Sequence, residues 1–176
     1  LGWNKKNIIF LPSFRFSVKK SNFENFIYLP LSIKNIDYVI KSLKTLYFKN
    51  IIDVTNFKIK SHPSAISSKK NEIVLKKINK LFKSLDNKKK QFEKKNYLIF
   101  IGTSSALVEA LERGSDVIQI CDNPLIDKYS ENLWPSLKSI KISENIFIYK
   151  LRKKKNMLKF GKKNENKTYL KKIGIQ

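Results

Sequence analysis

The sequence has few of the residues that form disulfides and zinc sites, and it has no long apolar runs. Its 176 residues contain one cysteine, Cys121, which excludes an internal disulfide framework and leaves no cysteine motif for zinc. We interpret Cys121 as a buried residue at the end of a strand rather than as a reactive thiol. No apolar run approaches the roughly 20 residues of a transmembrane helix, and none resembles the core of a secretory signal.

Arginine is scarce, although the chain is strongly basic. Lysine and arginine together number 37 against 14 acidic residues, a formal net charge of +23, but only Arg15, Arg113 and Arg152 are arginines. Surfaces that read bases or bind phosphates bidentately favour arginine. We therefore interpret the lysines as a solvated coat. An anionic ligand and a membrane surface rich in anionic lipid remain open as alternatives.

The rest of the composition is that of a globular domain. At 41% hydrophobic and 12% aromatic residues, the chain has enough apolar side chains for one ordinary core. We assign residues 1–151 to a single nucleotide-binding domain and residues 152–176 to a lysine-rich tail. Because the sequence begins at Leu1 rather than at Met, we expect it to be part of a longer chain.

Apolar runs typical of strands alternate with amphipathic stretches typical of helices. Strands are predicted at 7–12, 26–29, 51–54, 57–60, 97–101, 117–121, 140–142 and 146–151. Helices are predicted from Ser32 to about residue 46, from Ser67 or Ser68 to about residue 85, and over 106–113. This alternation predicts a Rossmann-like α/β fold, a parallel sheet with helices on both faces.

The stretch Phe100–Gly114 carries the first candidate site. A strand leads into Gly102, three hydroxyl residues follow (Thr103, Ser104 and Ser105), and a short helix comes next. Glycine permits a positive φ, and successive N–H groups and hydroxyls can hold phosphate oxygens. Ordinary capping of the helix by serine or threonine is an equally simple interpretation. Neither a Walker loop nor a dinucleotide fingerprint is present.

The only histidine, His62, marks the second candidate site. Pro63 follows it and cannot continue a strand, so His62 is predicted to end the strand 57–60. The carboxyl ends of parallel strands lie on the same edge of a sheet, which predicts that His62 and the turn at 102–105 share a rim. There the imidazole can bind a phosphate or protonate it, and Lys60 can add positive charge.

Two further interpretations concern the residues around the hydroxyl turn. A serine-hydrolase elbow is disfavoured because no histidine follows the serines in the chain. Glu109, one turn into the helix, can accept hydrogen bonds from ribose hydroxyls or can be an ordinary surface charge. No Asp-x-Asp pattern is present, so we predict neither a metal nor a cofactor.

The two motifs together resemble the C-terminal, nucleotide-sugar-binding half of GT-B-type glycosyltransferases. Lys60-Ser61-His62-Pro63 is similar to the K-x-H-P of bacterial sialyltransferases and of capsule transferases for related keto-sugars. Gly102–Ser105, followed by Glu109 and Gly114, looks like their paired-serine motif merged with E-A-x-x-x-G-x-x-V-I. The similar region is about residues 57–121.

The resemblance implies an enzyme that transfers a sugar from a nucleotide donor, with CMP favoured, to a glycan or glycolipid acceptor at the cell surface. It implies that His62 contacts or protonates the leaving phosphate, that Ser104 and Ser105 hold that phosphate, and that Glu109 binds ribose. The second glutamate of the broader group is replaced by Ile101. The catalytic base belongs to an N-terminal domain in those enzymes, so we expect this chain to be inactive alone.

We expect the protein to act in the cytoplasm, either free or in contact with the inner face of the membrane. We expect no specific nucleic-acid partner. The alternatives are a non-enzymatic basic α/β module that binds nucleic acid or polyanion, and a nucleotide-sugar epimerase on the same fold.

Overall fold

The computed structural model describes residues 25–86, 92, 97–124 and 137–151. All of them belong to one compact unit, Ser21–Lys154. The strand predicted at 7–12 and the predicted tail at 152–176 lie outside the described residues.

A six-stranded sheet forms the centre of this unit. Its strands are β1 (Phe26–Tyr28), β2 (Lys58–Lys60), β3 (Tyr97–Ile101), β4 (Asp116–Ile120), β5 (Leu137–Ser143) and β6 (Ile146–Leu151). Their order in the sheet is β2-β1-β3-β4-β6-β5. The pairs β1–β2, β1–β3 and β3–β4 are parallel, as the alternating pattern of strands and helices predicts. The predicted Rossmann-like α/β fold is therefore confirmed.

The last two strands differ from the prediction of an entirely parallel sheet. β6 is antiparallel to both β4 and β5. Only Glu144 and Asn145 separate β5 from β6, and so short a connection can join only antiparallel neighbours. The sheet is thus mixed, with a hairpin beside β4.

Three helices connect the parallel strands: α1 (Ile36–Phe48), α2 (Lys69–Asp86) and α3 (Ala106–Glu112). The predicted start of α1 at Ser32 is wrong, because the side chain of Asn35 accepts hydrogen bonds from the N–H groups of Asp37 and Tyr38 and caps the helix there. The strand predicted at 51–54 is also wrong. A single 3-10 turn forms over Val54–Asn56 instead, and the side chain of Asp53 caps it.

The helices cover both faces of the sheet. The apolar sides of α1 and α2 pack with alternate residues of β1, β3, β4 and β6 in one core cluster, which includes Leu43, Ile78 and Ile118. α3 packs on the other face, in a second cluster that includes Leu111 and Tyr149. Strands buried on both faces explain why the runs at 97–101 and 117–121 are almost continuously apolar.

The direction in which the chain builds the sheet reverses between β1 and β3. From β1 the chain moves outward to β2, then returns to the other side of β1 and continues from β3 to β4. Ligands of open α/β sheets bind in the crevice at the carboxyl ends of the strands at such a switch point. Among the described residues, no helix combines the length and the apolar character needed to cross a membrane.

Candidate functional site

A cavity of about 660 Å³ lies at this switch point. Of the predicted site residues, Lys60, His62, Thr103, Ser104 and Ser105 all line it. The loop that follows β1 and begins with Leu29 and Pro30 forms a further wall. The predicted shared rim of the two motifs is therefore confirmed.

Gly102 turns the chain sharply at the end of β3. Its φ is +78°, a left-handed value that side-chain-bearing residues rarely adopt. A Cβ placed there would lie 3.9 Å from carbons of Pro30, an ordinary contact, so the backbone angle rather than lack of space requires glycine. The N–H of Gly102 donates to the carbonyl of Ile120 at 2.8 Å, which joins the turn to β4.

The hydroxyl turn begins α3 and also lines the cavity. The Ala106 N–H donates to the Ser104 hydroxyl oxygen at 3.3 Å, and Leu107 and Val108 donate to the carbonyls of Ser104 and Ser105. Ser104 is thus a capping residue, while the Ser105 side chain makes no capping bond. Within the described residues, no acceptor is present for the backbone N–H of Thr103, Ser104 or Ser105. All three N–H groups lie in the turn that precedes the seven-residue helix α3.

His62 follows β2 and has a defined tautomer. Its Nδ1 accepts a hydrogen bond from the Ser64 N–H at 3.2 Å, which caps the 3-10 turn Pro63–Ala65. The proton of the neutral ring must then be on Nε2, an assignment that follows from the hydrogen bond. Because His62 is exposed and lines the cavity, its Nε2–H is available as a donor to a ligand.

Positive charge prevails around the cavity. The Lys60 ammonium lies 5.7 Å from the ring centroids of both Phe26 and Tyr28, a cation–π arrangement on the sheet surface. No carboxylate is among the described residues that line the cavity. The lining therefore favours an anion.

Glu109 lies outside the cavity lining. It forms an ion pair with Arg113 one turn later on α3. Burial raises the pKa of the Glu109 carboxyl above its ordinary value, and Arg113 opposes this shift. Burial, and secondarily Glu109, raises the pKa of Tyr28, which lines the cavity and stacks on Phe100 at 4.7 Å. The ribose contact of Glu109 stays a prediction.

A buried amide supports the Gly102 turn, and sequence reasoning missed it. Gln119, in β4, is 2% exposed and donates from Nε2 to the Gly102 carbonyl at 2.9 Å. Its Oε1 accepts from the hydroxyl of the fully buried Tyr149 at 3.1 Å. The sequence signal for this role is that Gln119 is the single polar residue inside the apolar run 117–121.

A second buried amide supports the His62 loop, and it too was missed. The Ser61 hydroxyl donates to Oδ1 of Asn71 at 3.1 Å, and Asn71 is 8% exposed. The Asn71 N–H in turn donates to the hydroxyl oxygen of Ser68 at 3.1 Å. Nothing in the pattern of α2 distinguishes Asn71 from a surface residue, because its burial depends on the loop that packs over it.

The arrangement can bind an oxyanion. It combines backbone N–H groups, serine and threonine hydroxyls, a lysine ammonium and the Nε2–H of His62 in one basic cavity. Within the described ranges, no group of three or more His, Cys, Asp or Glu side chains is placed to hold a metal ion.

Comparison of the chain with models of protein families, with curated proteins and with solved structures gave no match. Its function must therefore be inferred from the cavity and from the two sequence patterns that line it.

Proposed function

We propose that this domain is the donor-binding half of a glycosyltransferase that moves a sugar from a nucleotide-activated donor, CMP-linked, to a surface glycan acceptor. One observation carries the proposal: His62 and the hydroxyl residues Thr103–Ser105, which are distant in sequence, line one cavity at the switch point of the sheet. Nucleotides bind α/β sheets at this place because two adjacent loops diverge there and leave a crevice.

The donor phosphate would lie against the hydroxyl turn. The N–H groups of Thr103, Ser104 and Ser105 and their hydroxyls would donate hydrogen bonds to its oxygens, and Lys60 would balance part of its charge. In a direct displacement, the acceptor oxygen bonds to the anomeric carbon as the bond from that carbon to the phosphate oxygen breaks. The electron pair stays on the phosphate, and donors fixed in advance stabilise the charge that develops there.

His62 would act on the leaving phosphate. Its Nε2–H can donate to the oxygen that separates from the sugar, while the bond from the Ser64 N–H to Nδ1 fixes the orientation of the ring. The acceptor's proton needs a separate base, which we assign to another domain of the enzyme. The isolated domain should therefore bind the donor without transferring the sugar. We also propose that the enzyme acts in the cytoplasm, at the inner membrane face.

Titration of the purified chain with CMP at low salt, followed by calorimetry, tests the proposal. Each hydrogen bond to a charged phosphate contributes about 1.5–3 kcal/mol, so His62→Ala, or Ser104→Ala with Ser105→Ala, should weaken binding about tenfold to a hundredfold. Ser84→Ala, which removes a hydroxyl from the far part of α2, is the matched control and should bind like the wild type. The absence of CMP binding, or binding that the site variants leave intact, would contradict the proposal.

A second candidate function is the binding of nucleic acid or polyanion. The observation that favours it is the surface formed by Phe26, Tyr28 and Lys60, where aromatic rings and an ammonium group lie together on the sheet. Such surfaces stack bases without sequence preference. This function predicts binding of unrelated oligonucleotides with a steep salt dependence, whereas the donor-binding function predicts selectivity for a cytidine nucleotide.

A further inference from the structure

Three large apolar side chains are exposed around the beginning of α2. Leu31, Ile66 and Ile73 are 59%, 65% and 56% exposed. Leu31 and Ile73 line one open cavity of about 500 Å³, and Ile66 follows the 3-10 turn Pro63–Ala65 just before α2 begins. Exposed apolar side chains that are grouped rather than scattered mark surfaces that contact a partner.

Ile73 is surrounded by lysines on the solvent side of α2. Residues three and four positions away along a helix are its neighbours on the helix surface. Val74 and Ile78 are buried in the core, whereas Ile73 is exposed on the opposite side of α2. The four surface neighbours of Ile73 are all exposed lysines: Lys69, Lys70, Lys76 and Lys77.

Little negative charge offsets these lysines. α2 contains six lysines and two acidic residues, of which Glu72 is exposed beside Ile73. Lys77 forms an ion pair with Asp37 of α1 at 3.1 Å. Within the described residues, no ion pair is made by the other three neighbours, Lys69, Lys70 and Lys76. The exposed side of α2 is therefore a cationic surface with an apolar side chain at its centre.

This combination fits an anionic membrane surface better than it fits a nucleic acid. A helix that lies in a membrane interface inserts aliphatic side chains among the acyl chains, while its lysines extend to the headgroups. Each lysine near an anionic lipid surface strengthens adsorption about fivefold. Nucleic-acid surfaces instead use aromatic rings for stacking and arginines for phosphates. α2 contains no arginine and no exposed aromatic side chain.

We propose that the exposed side of α2 binds a membrane surface rich in anionic lipid, with Ile66 and Ile73 as apolar anchors. Leu31 lines both the cavity beside Ile73 and the candidate site, so the lipid surface would lie next to the opening of that site. The link to a membrane-bound acceptor rests on the proposed function, whereas the binding of lipid itself needs no donor.

Cosedimentation of the full chain with vesicles tests the charge of the surface. Vesicles of equal parts phosphatidylcholine and phosphatidylglycerol should bind the wild type, and vesicles of phosphatidylcholine alone should not. Lys70→Gln with Lys76→Gln should weaken binding about 30-fold. Lys138→Gln with Lys141→Gln is the matched control. It removes the same charge from exposed positions of the edge strand β5 and should weaken binding less than about threefold.

A second measurement tests insertion, which purely electrostatic adsorption would not produce. Because Cys121, the only native cysteine, is buried, Ile73→Cys can carry a polarity-sensitive dye. The dye should shift to the blue with the anionic vesicles and be quenched by spin-labelled acyl chains. The same dye at Lys138→Cys should stay in water. Ile66→Ser with Ile73→Ser should weaken vesicle binding about tenfold and leave the CMP affinity unchanged.

The proposal is overturned if the two lysine pairs weaken vesicle binding equally, or if the dye at position 73 stays in water. It is also overturned if the vesicles do not bind while an oligonucleotide duplex does, with an affinity that falls in Lys70→Gln/Lys76→Gln. Vesicle binding and CMP titration are independent measurements. Insertion of position 73 in a chain that does not bind CMP would therefore contradict the proposed function alone.

Discussion

The two loops of the candidate site follow parallel strands on the same edge, but they are held in different ways. The turn at Gly102 is fixed through its backbone, by Ile120 and by the amide of Gln119, both of which are buried in β4. The loop at His62 depends more on side chains: Ser61 bonds to Asn71 and the His62 ring accepts from Ser64, beside one backbone bond from the Ala65 N–H to the His62 carbonyl.

Because of this difference, we expect the two loops to differ in the free energy that is needed to open them locally. A backbone held by groups inside the sheet can move only if the core opens, whereas a loop held by one part-buried bond and one exposed bond can open locally at lower cost. The hydroxyl turn is therefore the rigid part of the site, and the His62 loop is the adaptable part. Under the proposed function, a donor would first meet the rigid hydroxyl turn, and the His62 loop would then adjust to it.

The largest expected effect comes from Gln119→Leu. This change deprives both the Gly102 carbonyl and the Tyr149 hydroxyl of a buried partner, and each such loss costs about 1–3 kcal/mol. We expect the free energy of unfolding, measured by urea denaturation, to fall by about 2–6 kcal/mol. Tyr149→Phe, which leaves the bond from Gln119 to the Gly102 carbonyl in place, should cost less. A stability equal to that of the wild type would show that the turn does not depend on this amide.

A smaller effect is expected from Gly102→Ala. The left-handed φ costs a residue with a Cβ about 1–2 kcal/mol, or else the turn changes its shape. Gly114→Ala is a matched control, because Gly114 has a φ of +87° and a Cβ placed there would have no atom within 4 Å. Both variants should lose similar stability in urea, but only Gly102→Ala should weaken CMP binding. Equal CMP affinities for the two variants would argue against a rigid phosphate site.

The smallest effect is expected from Ser61→Ala. It removes one partly buried hydrogen bond to Asn71, so the free energy of unfolding should fall by about 1 kcal/mol or less. Amide hydrogen exchange should accelerate at Ser64 and Ala65, whose N–H groups are bonded to His62, and stay unchanged at Gly102, whose N–H is bonded to Ile120. Ser67→Ala, at a neighbouring exposed serine, should leave both loops as they are. Faster exchange in the turn as well would mean that the two loops open together.

The sequence predicts the parts of the molecule that depend on local pattern. The positions of β3 and β4 follow, to within one residue, from the apolar runs at 97–101 and 117–121. The start of α2 follows from the predicted cap at Ser67 or Ser68, and Ser68 is the one that makes the capping bond. The shared rim of His62 and Ser104 follows from topology alone, because both come directly after parallel strands. These features need no knowledge of long-range contacts.

Other features depend on partners that are distant in the chain. The roles of Gln119 and Asn71 arise only when a loop from elsewhere presents a polar group to them. From the sequence, the hydroxyl turn is predicted to be either a helix cap or a ligand site. In the structure, Ser104 caps α3 and also lines the cavity. The start of α1 was missed because Asn35 competes with Ser32 as a cap and makes two hydrogen bonds.

The chain of contacts from Tyr149 through Gln119 to Gly102 also sets an order of assembly. The turn ends at Ser105, but its Gly102 carbonyl accepts a hydrogen bond from Gln119 in β4. Gln119 in turn accepts a hydrogen bond from Tyr149 in β6. The turn therefore has its complete set of supporting bonds only when β6 is paired with β4, which places Tyr149 against Gln119. Under the proposed function, binding at this turn would mark a domain whose hairpin has already docked.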